Sequence, residues 1–356
     1  MSRNITVIVD DQDKDIKYLC PVNKQTVTGT YINNTWTSIS GSECGSEGWF
    51  QYTFIGTRVQ VAVSSSRQDR SFAVQIDNGP KTSYTGGGFY ESPVLADGSH
   101  TITYYAPKGA SALSTTLDYL TYTAGPSTPL NGHTLLVDDS DGAVEYRGSW
   151  STKSPIPLSF DFSTSLYEST AHWSQAIGDA IEFNFIGNSI AVYGIVANLT
   201  SSPQKNITTT YTIDGDSTER GIPAGTLEGL PKAALFSAHG LSDGQHTLTV
   251  NVSQIASPQA LGFDFFMYNS TAADLQVVSA GSTSDDNAPL TASQSRAGVI
   301  IGGVVGGLLL LGALVFAVSQ WNKRRKEGAD SWFVVGKLKT THMKSSFGSK
   351  SNVEST

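Results

Sequence analysis

Apolar and polar side chains alternate along much of the first 270 residues. In Phe50 to Phe54, and again in Ile181 to Phe185, aromatic or aliphatic residues hold every second position and Gln51, Thr53, Glu182 and Asn184 fall between them. A period of two is that of a strand with one buried and one wet face. Reversals fall on IDNG at Ile76, IDG at Ile213, ADG at Ala96 and SDG at Ser242, where Asp, Asn and Gly supply the left-handed conformations that tight turns need. Many short strands with this punctuation predict all-β structure built from antiparallel sandwiches.

The pattern occurs twice. IVDD at Ile8 returns as LVDD at Leu136, NNTW ending at Trp36 as RGSW ending at Trp150, and QYTFIG at Gln51 as EFNFIG at Glu182. VQIDNG at Val74 matches YTIDGD at Tyr211, LADGSHTITY at Leu95 matches LSDGQHTLTV at Leu241, and LDYLTY at Leu117 matches FDFFMY at Phe263. Block order is kept while the loops between blocks lengthen in the second copy, which is how duplicated domains of one fold diverge. The expected organisation is a first sandwich at 1–125, a Pro/Gly linker at 126–132 and a second sandwich at 133–270, then a Ser/Thr-rich stalk at 271–296. Trp36 and Trp150 are expected in the two cores, and His100 and His246, in matching DGxH turns, as structural strand-start residues.

The stretch 297–319 carries no charge over 23 residues, and about 20 suffice to cross a bilayer. Four cations, Lys323, Arg324, Arg325 and Lys326, follow it, against Arg296 on the other flank. The positive-inside bias then places a 320–356 tail in the cytoplasm and the sandwiches outside the plasma membrane. Gly298, Gly302 and Gly306, with Gly303 and Gly307, give four-residue spacings that would let two such helices pack as a homodimer. Asn4, Asn33, Asn198, Asn206, Asn251 and Asn269 all begin N-glycosylation sequons. No apolar leader is visible at the N-terminus, so the route of export stays open. After Gln320 eight cations face three acids, giving +5, so of the net −8 the rest of the chain carries −13. So acidic a surface repels nucleic acid. Cys20 and Cys44 would close a loop of about 24 residues as a disulfide in an oxidising compartment, or stand as two buried thiols.

The paired pattern of VDD, FxFIG, IDG, DGxHT and a final LDY or FDF resembles galactose-binding-like jelly rolls, and the whole chain resembles single-pass membrane proteins of basidiomycete fungi with tandem domains of that kind. The resemblance implies a carbohydrate-binding type of fold and, as in many such modules, a structural Ca²⁺. First and last strands are neighbours in a jelly roll, which would bring Asp10 and Asp11 to Asp118, and Asp138 and Asp139 to Asp264; converging carboxylates suit a hard cation, and the bland alternative is aspartates capping backbone donors. Sugar recognition needs aromatic faces with a few fixed polar groups, and Trp49, His172 and Trp173, in loop-like stretches, are the candidates. No GxSxG elbow, HExxH helix or phosphate loop is present, so the expectation is a cell-surface binding or adhesion protein and not an enzyme, the other reading being a wall-to-cytoplasm linker or sensor.

Overall fold

The computed structural model describes residues 4–278 apart from 28–30, 41–43, 45–46, 66–70, 86–88, 107–114, 156–165, 198–205, 223–229, 231 and 276–277. The first repeat holds β1 (Thr6–Asp10), β2 (Lys17–Tyr18), β3 (Val22–Thr26), β4 (Thr35–Ile39), β5 (Phe50–Gly56), β6 (Arg58–Ser65), β7 (Ser71–Ile76), β8 (Thr82–Thr85), β9 (Tyr90–Glu91), β10 (Gly98–Tyr105) and β11 (Thr115–Thr123). The second holds β12 (Thr134–Asp138), β13 (Val144–Arg147), β14 (His172–Ser174), β15 (Ala180–Ala197), β16 (Ile207–Ile213), β17 (Asp216–Ile222), β18 (Ala233–Gln254) and β19 (Ala260–Ser270). All described pairings are antiparallel, and the expected all-β sandwich class is observed.

In the first repeat one sheet has the order β2-β5-β10-β7-β8, and β11 in the facing sheet pairs with β1, β4 and β6. The alternation in β5 buries Phe50, Tyr52 and Phe54 between the layers. The FIG block marks where the chain passes from one sheet to the other. A Cβ on Gly56 would lie 2.5 Å from the Thr123 carbonyl oxygen, and one on Gly187 would lie 2.3 Å from that of Asn269, so only glycine admits this approach. In the first repeat the chain breaks there into β5 and β6, whereas β15 runs through as one strand with a bulge between Gly187 and Ser189.

The two sandwiches are joined edge to edge. β1 pairs with β12 through Thr6 with Leu136 and Val7 with Leu135, making one sheet continuous across both repeats in the order β17-β16-β18-β15-β19-β12-β1-β11-β4-β3. Beside this seam Ile8 and Ile32 of the first repeat pack with Leu136, Tyr167, Tyr193, Phe265 and Met267 of the second. That is why Val7, Ile8 and Val9, and likewise Leu135, Leu136 and Val137, are buried on both faces. Cys20 and Cys44 form the disulfide.

One expectation is corrected by the strand register. Thr37 pairs with Leu117, and His172 with Phe263, each next to the last-strand aspartate; hence Trp36 corresponds to Ala171, not to Trp150. Trp150 instead packs beside the second core, with its indole N–H donating to the Ala180 carbonyl. Asn33 is an exposed sequon asparagine in a left-handed conformation (φ 52°), but its side-chain nitrogen donates to Asp10 at 2.9 Å and its oxygen accepts from Tyr193 at 3.2 Å. The same left-handed turn recurs at Glu168 (φ 48°). Asn198, the 297–319 segment and its glycines, and the tail lie outside the described residues; among the described residues no helix is long and apolar enough to cross a membrane.

Candidate functional site

Each repeat ends its first strand in two aspartates and carries a third in its last strand. The backbone joins them: the Asp11 N–H donates to the Asp118 carbonyl at 3.1 Å and the Asp139 N–H to that of Asp264 at 2.8 Å. A tyrosine from the next strand also donates to the second aspartate's carbonyl, Tyr18 to Asp11 at 2.5 Å and Tyr146 to Asp139 at 2.7 Å. Backbone N–H groups cap the third aspartate, from Ile32 at 2.8 Å and from Tyr167 at 3.2 Å. The two clusters are the same construction, and they are neutralised differently.

In the first repeat the hydroxyls of Thr35 and Thr37 donate to the two Asp11 oxygens at 2.7 and 2.5 Å. Lys232, reaching across from the second repeat, places its ammonium on the Asp118 carboxylate, with both side chains about 5% exposed. Burial pushes Asp118 up to about 6 against the pull of Lys232 and the Ile32 N–H, and pushes Asp11 up to about 7 against its two threonine donors. At Asp10, Asp11 and Asp118, where a metal site was expected, the Asp118 carboxylate thus has a lysine ammonium as its partner.

In the second repeat, carboxylate oxygens of Asp138, Asp139 and Asp264 lie within 4.8 Å of one another. Asp139 accepts from Thr170 at 2.5 Å and from His172 Nδ1 at 2.6 Å. One oxygen of Asp138 is held by Ser140, while Oδ1 is buried with no partner. Burial drives Asp264 well above the usual carboxylate range, and Asp138, through burial and then its neighbour Asp139 against the Ser140 bonds, to about 6. An orphaned carboxylate oxygen among three hard donors fits a divalent cation. Asp138, Asp139 and Asp264 would hold one, and its charge would let them ionise while buried.

Of the residues expected to face a ligand, two do not. Trp49 is fully buried against Phe50 and Tyr104, because its N–H donates to Tyr104 and its carbonyl accepts from Leu19. Trp173 is 3% exposed and packs under Leu166, Ile195 and Ala260. His172 remains partly exposed, stacked on Tyr146 with ring centroids 4.0 Å apart. His100 and His246 are structural, each bridging a turn aspartate and a carbonyl: Asp77 with Ala96, and Asp214 with Ser242.

The first repeat also has a cavity of about 530 Å³ beside the open edge of β5, lined by residues that include Asp15, Gln51, Tyr52, Thr53, Tyr122 and His133. A difference in strand length makes it. β13 covers β15 as far as Phe183, whereas β2 reaches only Gln51, one position short of the equivalent Tyr52. Tyr52 is 6% exposed, yet its hydroxyl has no hydrogen-bond partner among the described residues. The Tyr122 hydroxyl meets His133 Nδ1 at 3.4 Å. Sequence reasoning passed over this place; the available signal was a tyrosine where the duplicate has the phenylalanine Phe183.

No family model matches the chain. It is 28% identical over 160 residues to the A type blood N-acetyl-alpha-D-galactosamine deacetylase of Flavonifractor plautii, and 30% identical over 111 residues to the A type blood alpha-D-galactosamine galactosaminidase of the same organism. These matches take in 45% and 31% of this chain, and 18% and 9% of the relatives' lengths. Both relatives are named as enzymes, and that overturns the expectation of a non-enzymatic chain. Among solved structures, a family 35 carbohydrate binding module from Clostridium thermocellum is 14% identical, covering 33% of this chain and 98% of its own, at a TM-score of 0.27. The tandem CBM22-1-CBM22-2 domain of Paenibacillus barcinonensis Xyn10C is 9% identical, covering 76% and 98%, at 0.26.

Proposed function

We propose that the chain is a carbohydrate-active protein whose tandem sandwiches bind sugar in the cavity beside β5, held at a cell surface by the 297–319 segment. The observation that carries this reading is Tyr52, 6% exposed on the wall of a cavity of about 530 Å³, whose hydroxyl bonds to no described residue. A ligand hydroxyl entering the cavity would supply that bond. Volume and lining both suit a small ligand held by a few fixed polar groups among aromatic side chains. Two relatives named for galactosamine sugars support the same class.

Titration calorimetry of the full chain against galactose and N-acetylgalactosamine tests it. Tyr52→Phe is expected to weaken binding by roughly three- to tenfold, the worth of one neutral hydrogen bond, and to leave the melting temperature in place. Unchanged affinity in Tyr52→Phe, or no binding of either sugar, sinks the reading.

A second reading rests on His172. Asp139 fixes its Nδ1 at 2.6 Å, Tyr146 fixes its ring, and Nε2 makes no hydrogen bond to a described residue. An imidazole oriented by a buried carboxylate is the arrangement of a general base in hydrolysis. Release of acetate from N-acetylgalactosamine that disappears in His172→Ala would support it, and the absence of any release would refute it.

A further inference from the structure

The cavity beside β5 carries more information than its shape. Its ionisable lining residues are Asp15, Lys17, Tyr52, Tyr122 and His133, and Asp13 stands just behind Asp15, accepting the Asp15 N–H at 2.7 Å. The two hydroxyls on the wall report the local field. Tyr122 is raised to about 12, by burial and then by the charge of Asp13. Tyr52 is raised further, by burial, then by Tyr122, Asp13 and Asp15. Two carboxylates, Asp15 on the lining and Asp13 behind it, stand against one lining ammonium, Lys17, so negative charge is in excess at the rim.

The second repeat gives a control within the same molecule. There Phe183 occupies the position of Tyr52, and Glu145 and Val144 of β13 cover the strand edge. Tyr52 is nine-tenths buried, its hydroxyl bonds to no described residue and it lines the cavity, with Asp15 on the same lining.

We infer that this cavity takes an amino sugar with its amine free and protonated, Asp15 pairing with the ammonium and Tyr52 with a ring hydroxyl. The inference rests on the carbohydrate reading above and adds the charge of the ligand. An N-acetyl group would cancel that charge and bring a methyl and a carbonyl against carboxylates. The same sugar without the amine would keep the hydroxyl contacts and lose the charged one.

The test is calorimetry of the full chain with D-galactosamine, N-acetyl-D-galactosamine and D-galactose at neutral pH, in low and in high salt. Galactosamine is expected to bind about fivefold more tightly than the other two in low salt, the upper range for a partly exposed ion pair, with the preference shrinking as salt is raised. Asp15→Asn should abolish the preference for galactosamine. If galactose or the N-acetyl sugar binds as well as galactosamine, or if Asp15→Asn keeps the preference, the charge assignment is wrong while the carbohydrate reading stands. If none of the three sugars binds, both fall.

Discussion

Lys232 and Asp118 form a buried ion pair between the two repeats, and removing the lysine is the sharpest perturbation the fold offers. In Lys232→Met the Asp118 carboxylate would keep its Ile32 N–H donor and lose its only cation among the described residues. Stranding one partner of a buried pair costs about 3 to 5 kcal/mol, or roughly 6 to 20 °C in melting temperature for a unit of this size. The pH dependence carries a sign. Asp118 sits at about 6 in the fold against an ordinary 3.8, so the folded state holds its proton more tightly than the unfolded state does. The associated stability is complete below the ordinary value and is lost as pH rises through about 6. Without Lys232 that upper limit moves higher, so the variant's deficit should be small at pH 5 and grow through pH 6 to 8. Adding Asp118→Asn removes the stranded charge and should restore most of the loss. Thermal melting of the three proteins across pH 5 to 8 reads this out; a deficit that is the same at every pH, or no recovery in the double variant, refutes the reasoning.

Two more outcomes follow from the same geometry. Added Ca²⁺ should raise the melting temperature of the full chain, by about 2.7 kcal/mol of stability at a hundredfold excess over Kd, with the response lost in Asp264→Asn and kept in Asp118→Asn; the reverse pattern would place the cation in the first repeat. Gly187→Ala, whose new methyl would lie 2.3 Å from the Asn269 oxygen, should cost about 1 to 3 kcal/mol in chemical denaturation, while Gly142→Ala, with nothing within 4 Å, should be silent.

The alternation of β5 and β15, the duplicated blocks, the disulfide and the convergence of the six aspartates were all legible in the sequence, because each is set by local period or by strand order. What was not legible depends on contacts between the repeats or on exact register. Ile8 and Leu136 look like ordinary strand residues, and only the seam explains why three neighbours in a row are buried. The echo between NNTW and RGSW matched letters and missed the pairing of Thr37 and His172 with the last strands. Trp49 looked like a loop residue because glycines precede it, but Gly48 (φ 109°) is the turn that delivers the indole into the core. Lys232 stands alone in its segment with nothing nearby to announce a partner 114 positions away.

These contacts tie the two repeats together, and their buried apolar side chains form one connected cluster. β11 carries both Asp118, which Lys232 holds, and Tyr122, which lines the cavity four positions further on. The strand that closes the proposed sugar site is thus fastened by a side chain from the other repeat, while β1, its neighbour, is fastened by pairing with β12. Divergence after duplication follows from that division. The first repeat takes Lys232 of the second onto its Asp118 and leaves an open strand edge. The second covers the same edge with β13 and holds Asp138, Asp139 and Asp264 together with His172 on Asp139. A first repeat expressed alone would lose its cation and its seam together, and with them the fixed position of the cavity wall.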